Sequence, residues 1–155
     1  MVQIVQPIND SEIAEARAIF HEYEIWLGLS LCFQSFDEEM ATLPGRYAPP
    51  SGRLYLARTE DETVGCIALR QNEEGICEMK RLYLRESARG YGIGQLLIGR
   101  IIADAREIGY GKMRLDTYPP KMEKAVRLYE SHGFCEIPPY YHNPHEGVLF
   151  MELAL

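Results

Sequence analysis

Two consecutive stretches decide how this chain is read: Met79-Lys80-Arg81-Leu82-Tyr83-Leu84, and then Arg89-Gly90-Tyr91-Gly92-Ile93-Gly94-Gln95-Leu96-Leu97. The first is part of a strand-like run over residues 76–84. The second is a glycine-rich loop that runs into a helix, with Ile93, Leu97, Ile101, Ala105 and Ile108 on one face and Gly109 as the stop signal. Strand, glycine loop and helix start together make good anion-binding geometry. Glycine lets the backbone approach a ligand, and the first N–H groups of a helix have no partner inside it. Two familiar phosphate loops are excluded. No Lys-Ser/Thr follows the glycines, as a Walker A loop requires. Counting from Gly90, the sixth residue is Gln95, so the GxGxxG dinucleotide fingerprint is absent. Arg85 and Arg89 bracket the loop and place positive charge where phosphates would sit.

Working outward, residues 2–5 read as a short strand, and Asn9, Asp10 and Ser11 supply N-cap chemistry for a first helix. Its apolar face is Ile13, Ala16, Ile19/Phe20, Tyr23 and Trp26/Leu27. A second short helix starts at Asp37 and stops near Pro44-Gly45, and residues 43–52 read as a loop. Residues 53–58, 63–70 and 76–84 are strand-like, joined by polar turns at 59–62 and 71–75. Beyond the glycine loop and its helix come a strand at 113–117 and a helix opened by Pro119-Pro120. Met122, Ala125, Val126 and Tyr129 share its face, and Gly133 ends it. Residues 134–137 and 148–153 close the chain as strands. The order is β-α-α-β-β-β-α-β-α-β-β. It predicts one mixed α/β domain over residues 1–155, with a central, mostly antiparallel sheet flanked by helices.

The chain has 155 residues and carries 16 Lys+Arg against 23 Asp+Glu, a net charge of −7, which argues against a general nucleic-acid binder. No window approaches the roughly 18–20 continuous apolar residues of a membrane span. The N-terminus has no signal-peptide pattern. Cys32, Cys66, Cys77 and Cys135 are widely spaced, without a CxxC or a nearby His, so no metal site is expected and a reducing cytoplasm is the simplest compartment. Cys66, Cys77 and Cys135 lie in apolar, strand-like runs, where reduced cysteine acts as a small hydrophobe.

The spacing Arg89-x-x-Gly92-x-Gly94, behind the strand that ends at Leu84, resembles the pyrophosphate loop of the GNAT superfamily of acyl-CoA-dependent N-acyltransferases. A second marker follows. Ala125-x-x-Leu128-Tyr129-Glu130-x-x-Gly133-Phe134 resembles that superfamily's Ala-x-x-Leu-Tyr-x-x-x-Gly-Phe run. The element order agrees as well, so the resemblance covers nearly the whole chain. It implies acetyl transfer from acetyl-CoA to a primary amine, with a small amino acid or amine as acceptor. A peptide N-acetyltransferase and an acyl-CoA-binding regulatory module without turnover are the alternatives.

The resemblance also implies roles. Leu82, Tyr83 and Leu84 would meet the pantetheine arm, and a bulge there would offer an N–H to the oxyanion. Arg89, Gly90, Tyr91, Gly92, Ile93 and Gly94 would hold the pyrophosphate, with Arg85 as an extra contact or a plain surface charge. Tyr129 would be the general acid for the departing thiolate, against the alternative of a core tyrosine. Glu78 is the candidate base, with Asp116 second and a water chain third. Strand alternation puts Glu78, Lys80, Leu82 and Leu84 on one face and Met79, Arg81 and Tyr83 on the other. Thr117-Tyr118-Pro119-Pro120-Lys121-Met122 stands where the superfamily commonly carries an Asn that contacts pantetheine. The acceptor side maps to Phe33 in the segment 31–36 and to Tyr140 and Tyr141 in the aromatic loop 137–145. Asp116 joins them, and Arg81 would pair with a substrate carboxylate or with Glu78 or Asp116. The apolar end at residues 148–153 suits either a dimer interface or a buried strand.

Overall fold

The computed structural model describes residues 1–31 and 34–155. Cys32 and Phe33, the latter an expected substrate contact, lie outside the described residues. In chain order the elements are β1 (Gln3–Val5), α1 (Asp10–Leu27), α2 (Phe36–Thr42), β2 (Arg53–Arg58), β3 (Thr63–Glu73) and β4 (Ile76–Leu84). Then come α3 (Ile93–Ile108), β5 (Lys112–Thr117), α4 (Pro119–Ser131), β6 (Cys135–Ile137) and β7 (Leu149–Ala154). This is the expected order. At the start of α1, the Glu12 N–H donates to Asn9 Oδ1 at 2.9 Å, while the Ile8 N–H donates to Glu12 Oε1 at 3.1 Å. The first satisfies a donor that the helix itself leaves open, and the second ties the residue before the N-cap to the first turn.

The strands form one sheet in the order β1-β2-β3-β4-β5-β7-β6, and only the β4–β5 pair is parallel. Helix α3 packs on one face, over a core that includes Leu69, Met79, Leu97, Ile101, Met113 and Leu115. Helices α1 and α2 cover the other, over Phe20, Phe36, Leu56, Cys66 and Tyr83.

Three details depart from the sequence reading, and a fourth bears on an alternative it left open. β3 continues to Glu73, because residues 71–73 need only backbone pairing with β4 at the solvated end of the ladder. The expected loop after α2 holds a turn of 3₁₀ helix at Gly45–Tyr47, and the Tyr47 ring is buried against Phe20 at 6.2 Å. Cys135 is exposed, since β6 is the outer strand of the sheet. β7 is internal, paired with β5 along its length and with β6 over residues 150–152, as the buried-strand alternative expects.

Two features of β4 position the site. Its pairing with β5 stops at Glu78↔Arg114, so beyond that point the two strands part. Its pairing with β3 steps from Ala68↔Lys80 to Cys66↔Tyr83, so Arg81 and Leu82 together oppose Ile67. That is a β-bulge, and Arg81 takes φ 62°, a left-handed conformation that costs a non-glycine residue roughly 1–2 kcal/mol. The bulge overturns the simple alternation. Cys77, Met79, Leu82 and Leu84 all belong to the α3 side, whereas Arg81 and Tyr83 join Glu78 and Lys80 on the other.

Candidate functional site

Where β4 and β5 part, two adjoining spaces open. The larger is a groove of about 550 Å³, walled by Leu82, Tyr83 and Leu84 on one side, the glycine loop at one end and the first turns of α4 opposite. The smaller is a cavity of about 40 Å³ under the residues that lead into β7, lined by Lys80, Arg81, Leu115, Asp116, Tyr129 and Asn143 among others. Leu82 and Met122 line both, so the cavity lies at the inner end of the groove.

The glycine loop is shaped by its backbone. Gly92 caps α3 at φ 77°, and the first bond inside the helix runs from the Leu96 N–H to the Gly92 carbonyl at 3.2 Å. The N–H groups of the first turn therefore have no intrahelical acceptor. Of the expected loop contacts, Arg89, Gly90, Gly92, Ile93 and Gly94 line the groove, while Tyr91 is 78% exposed and lies outside it. Arg85 is drawn away from the groove. Its Nε is 2.9 Å from Glu22 and its Nη1 is 2.7 Å from Glu62. The cations opposite the loop are Lys121 and Lys124, at the start of α4. The sequence reading missed them because nothing local says that α4 faces the glycine loop.

Trp26 was read as part of the α1 core face, yet it lines the groove mouth. The Arg89 guanidinium sits 4.9 Å from its ring centroid and the Lys121 ammonium 5.5 Å. It is the single tryptophan of the chain. Titration with acetyl-CoA is expected to shift the intrinsic emission in a saturable way, since phosphates would compete with the ring for both cations. Unchanged emission at saturating ligand would show that the groove mouth is not where the phosphates bind.

At the inner end, buried charges are paired. Glu78 is 2% exposed. It binds Arg70 Nε at 2.9 Å and accepts the Tyr140 hydroxyl at 2.6 Å. Burial opposes its ionisation, but Lys80, Arg70 and the Tyr140 hydroxyl outweigh that and hold its pKa below the ordinary value. Glu78 does not line the cavity. Asp116 does, and it accepts Lys80 Nζ at 3.2 Å and the Tyr141 hydroxyl at 2.9 Å. Burial likewise opposes its ionisation, and Lys80, Tyr141 and Arg81 reverse the balance. Arg81 gives Nε and Nη2 to Glu39, each at 3.0 Å, and Nη1 to Gln34 at 2.8 Å. The expectation of a salt bridge to Glu78 or Asp116 is thus corrected to Glu39 on α2. The bulge turns Arg81 toward that helix and leaves Lys80 as the cation paired with Asp116.

The two carboxylates tie acid stability to the site. Both folded-state pKa values lie below the ordinary 4.5 and 3.8, so the unfolded chain takes up protons first as pH falls. Stability is expected to be level above about pH 5 and to fall below about pH 4. Urea midpoints across that range check it, and the double variant Glu78→Gln, Asp116→Asn should flatten the acid limb.

Tyr129 is 3% exposed, with its ring against Phe134 at 5.8 Å. Burial raises its pKa, with Tyr23 and Asp116 adding to the effect, so the hydroxyl keeps its proton throughout the neutral range. Tyr140 and Tyr141 both pack on Phe150 at 5.3 Å. Their hydroxyls fasten the aromatic loop to Glu78 and Asp116.

The mixed sheet thus opens between two central strands, with a glycine loop at one end of the gap and a buried tyrosine lining the cavity at the other. Residues 14–134 match the acetyltransferase (GNAT) family, and the chain belongs to that family. It is 40% identical to an uncharacterised N-acetyltransferase of Schizosaccharomyces pombe, over 99% of this chain and 92% of that one. An acetyltransferase structure from Streptococcus agalactiae superposes with a TM-score of 0.81 at 21% identity, covering 99% of this chain and 98% of that one. The structure of yncA from Salmonella typhimurium, solved with its cofactor acetyl-CoA, superposes with a TM-score of 0.67 at 18% identity, covering 99% and 93%. The protein is an N-acetyltransferase, and members of its family use acetyl-CoA. Among the described residues no helix is long and apolar enough to cross a membrane, and no cluster of His, Cys, Asp and Glu could hold a metal ion.

Proposed function

We propose that the protein moves the acetyl group of acetyl-CoA to the primary amine of a small molecule, by direct attack within a ternary complex. The observation that carries this reading is the small cavity at the inner end of the groove. It is a small space of about 40 Å³ lined by side chains of α1, β4, β5, α4 and the residues before β7, whereas a peptide acceptor would need room for its flanking residues. The groove residues Arg89, Gly92 and Gly94 and the cations Lys121 and Lys124 suit the phosphates, and Leu82, Tyr83 and Leu84 suit the pantetheine arm.

In this scheme the amine nitrogen bonds to the thioester carbonyl carbon and the carbon–sulfur bond breaks. The bulge at Arg81–Leu82, whose residues line the cavity, would offer a backbone N–H to the developing oxyanion. Tyr129 gives its proton to the departing thiolate. Glu78 is the first candidate base in the sequence, but Asp116 lines the cavity and Glu78 does not. Its place in the scheme is to hold Tyr140 and Arg70. The amine proton leaves through Asp116 and water. A thiol-release assay with acetyl-CoA against a panel of amines tests the reading. Release with small amines supports it. Release with peptides alone makes the protein a peptide N-acetyltransferase. Acetyl-CoA binding without release under any condition makes it an acyl-CoA-binding module.

A further inference from the structure

The charges of the inner cavity are arranged for one kind of acceptor. Among the described residues its charged lining is Lys80, Arg81 and Asp116. Arg81 is spent, because Glu39 and Gln34 take its Nε, Nη1 and Nη2. What remains is the pair Lys80–Asp116, 3.2 Å apart, with the Lys80 side chain 4% exposed and the Asp116 side chain 14%. Glu78 stands 3.9 Å from the same ammonium.

A protonated monoamine that entered here would compete with Lys80 for Asp116 and leave Lys80 with the more distant Glu78, 3.9 Å away, as its partner, which is unfavourable for a buried ammonium. A simple carboxylate would compete with Asp116 for Lys80 and leave Asp116 with the Tyr141 hydroxyl as its close partner. A zwitterion inserts without stranding either group. Its carboxylate takes the Lys80 ammonium, its ammonium takes Asp116, and the count of buried charges stays balanced. Two opposite charges on one carbon suit a pair held this close. The cavity of about 40 Å³ now has room for little more than a water or two, the scale of such a head group. A side chain would extend toward Asn143 and His145, which line the same cavity.

We propose that the acceptor is an α-amino acid, read by exchange of the Lys80–Asp116 ion pair for Lys80–carboxylate and ammonium–Asp116 contacts. This rests on the small-amine reading above. Asp116 then also orients the nitrogen that must lose a proton before it attacks. The specificity residue is Lys80, since Arg81, which lines the same cavity, is held by Glu39 and Gln34.

The test compares each α-amino acid of a representative set with its α-amide and its decarboxylated amine, by thiol release at saturating acetyl-CoA. The wild-type protein is expected to favour at least one free amino acid over its amide and its amine by tenfold or more in kcat/KM, mainly through KM. Lys80→Met should bring that ratio near one, and Lys80→Arg should keep most of it. Amides or amines that turn over as well as the acids overturn the proposal, even if Lys80→Met fails to fold. A ratio unchanged in folded Lys80→Met does so too. Thiol release with amines but never with amino acids removes this proposal alone, whereas no release with any compound removes the small-amine reading beneath it.

Discussion

Gly94→Val is expected to lower acetyl-CoA affinity by at least tenfold, about 1.4 kcal/mol, while leaving the protein folded. Gly94 lies in the first turn of α3, buried at the floor of the groove. A Cβ there would stand 3.3 Å from Leu128 Cδ2 and 3.6 Å from Leu84 Cδ1, one on each wall. A methyl group is therefore already tight, and the two further carbons of valine fill the space between β4 and α4. Valine remains compatible with a helix, so the penalty falls on the ligand more than on the fold. Calorimetric titration with acetyl-CoA measures the loss, and wild-type affinity would show that the ligand does not pass this point. Gly92→Val attacks the same loop by another route. Its φ of 77° disfavours any β-branched residue, so part of its effect should appear as lost stability.

The second large effect is expected at Tyr129. Tyr129→Phe should cut kcat by about 100-fold at saturating acetyl-CoA, with little change in the KM for acetyl-CoA. The ring packing against Phe134 is kept and only the hydroxyl is removed, so the thermal midpoint should hardly move. The loss should shrink for acyl donors whose thiol is more acidic, because a better leaving group needs less help from an acid. Wild-type turnover in Tyr129→Phe would make Tyr129 a core tyrosine on an apolar helix face.

Much of this was legible in the chain. The elements came from local signals: Asn9 before α1, Gly109 after α3 and Pro119-Pro120 at the start of α4 are all backbone chemistry that acts within a turn of itself. The loop at residues 89–94 was legible for the same reason. The partners of the charged residues were not. Arg85 and Arg89 are alike in sequence, yet one is bound by Glu22 and Glu62 and the other leans on Trp26 at the groove mouth. Those carboxylates and that ring arrive from elements as distant as α1, and no spacing rule covers them.

The sequence by itself determined an α/β chain with a glycine-rich loop between β4 and α3 and a tyrosine on the apolar face of α4. These depend on residue type and short-range order, which pattern carries. Tertiary structure alone decided which side chains of β4 face the cavity. Strict alternation would have sent Arg81 to the face of Met79. One extra residue in the ladder at Arg81–Leu82 shifts the phase, turns Arg81 to Glu39 and leaves Lys80 with Asp116. A bulge is a mismatch between two strands, set by the register of β3 against β4 and by where β5 lets go, so it cannot be read from either strand alone.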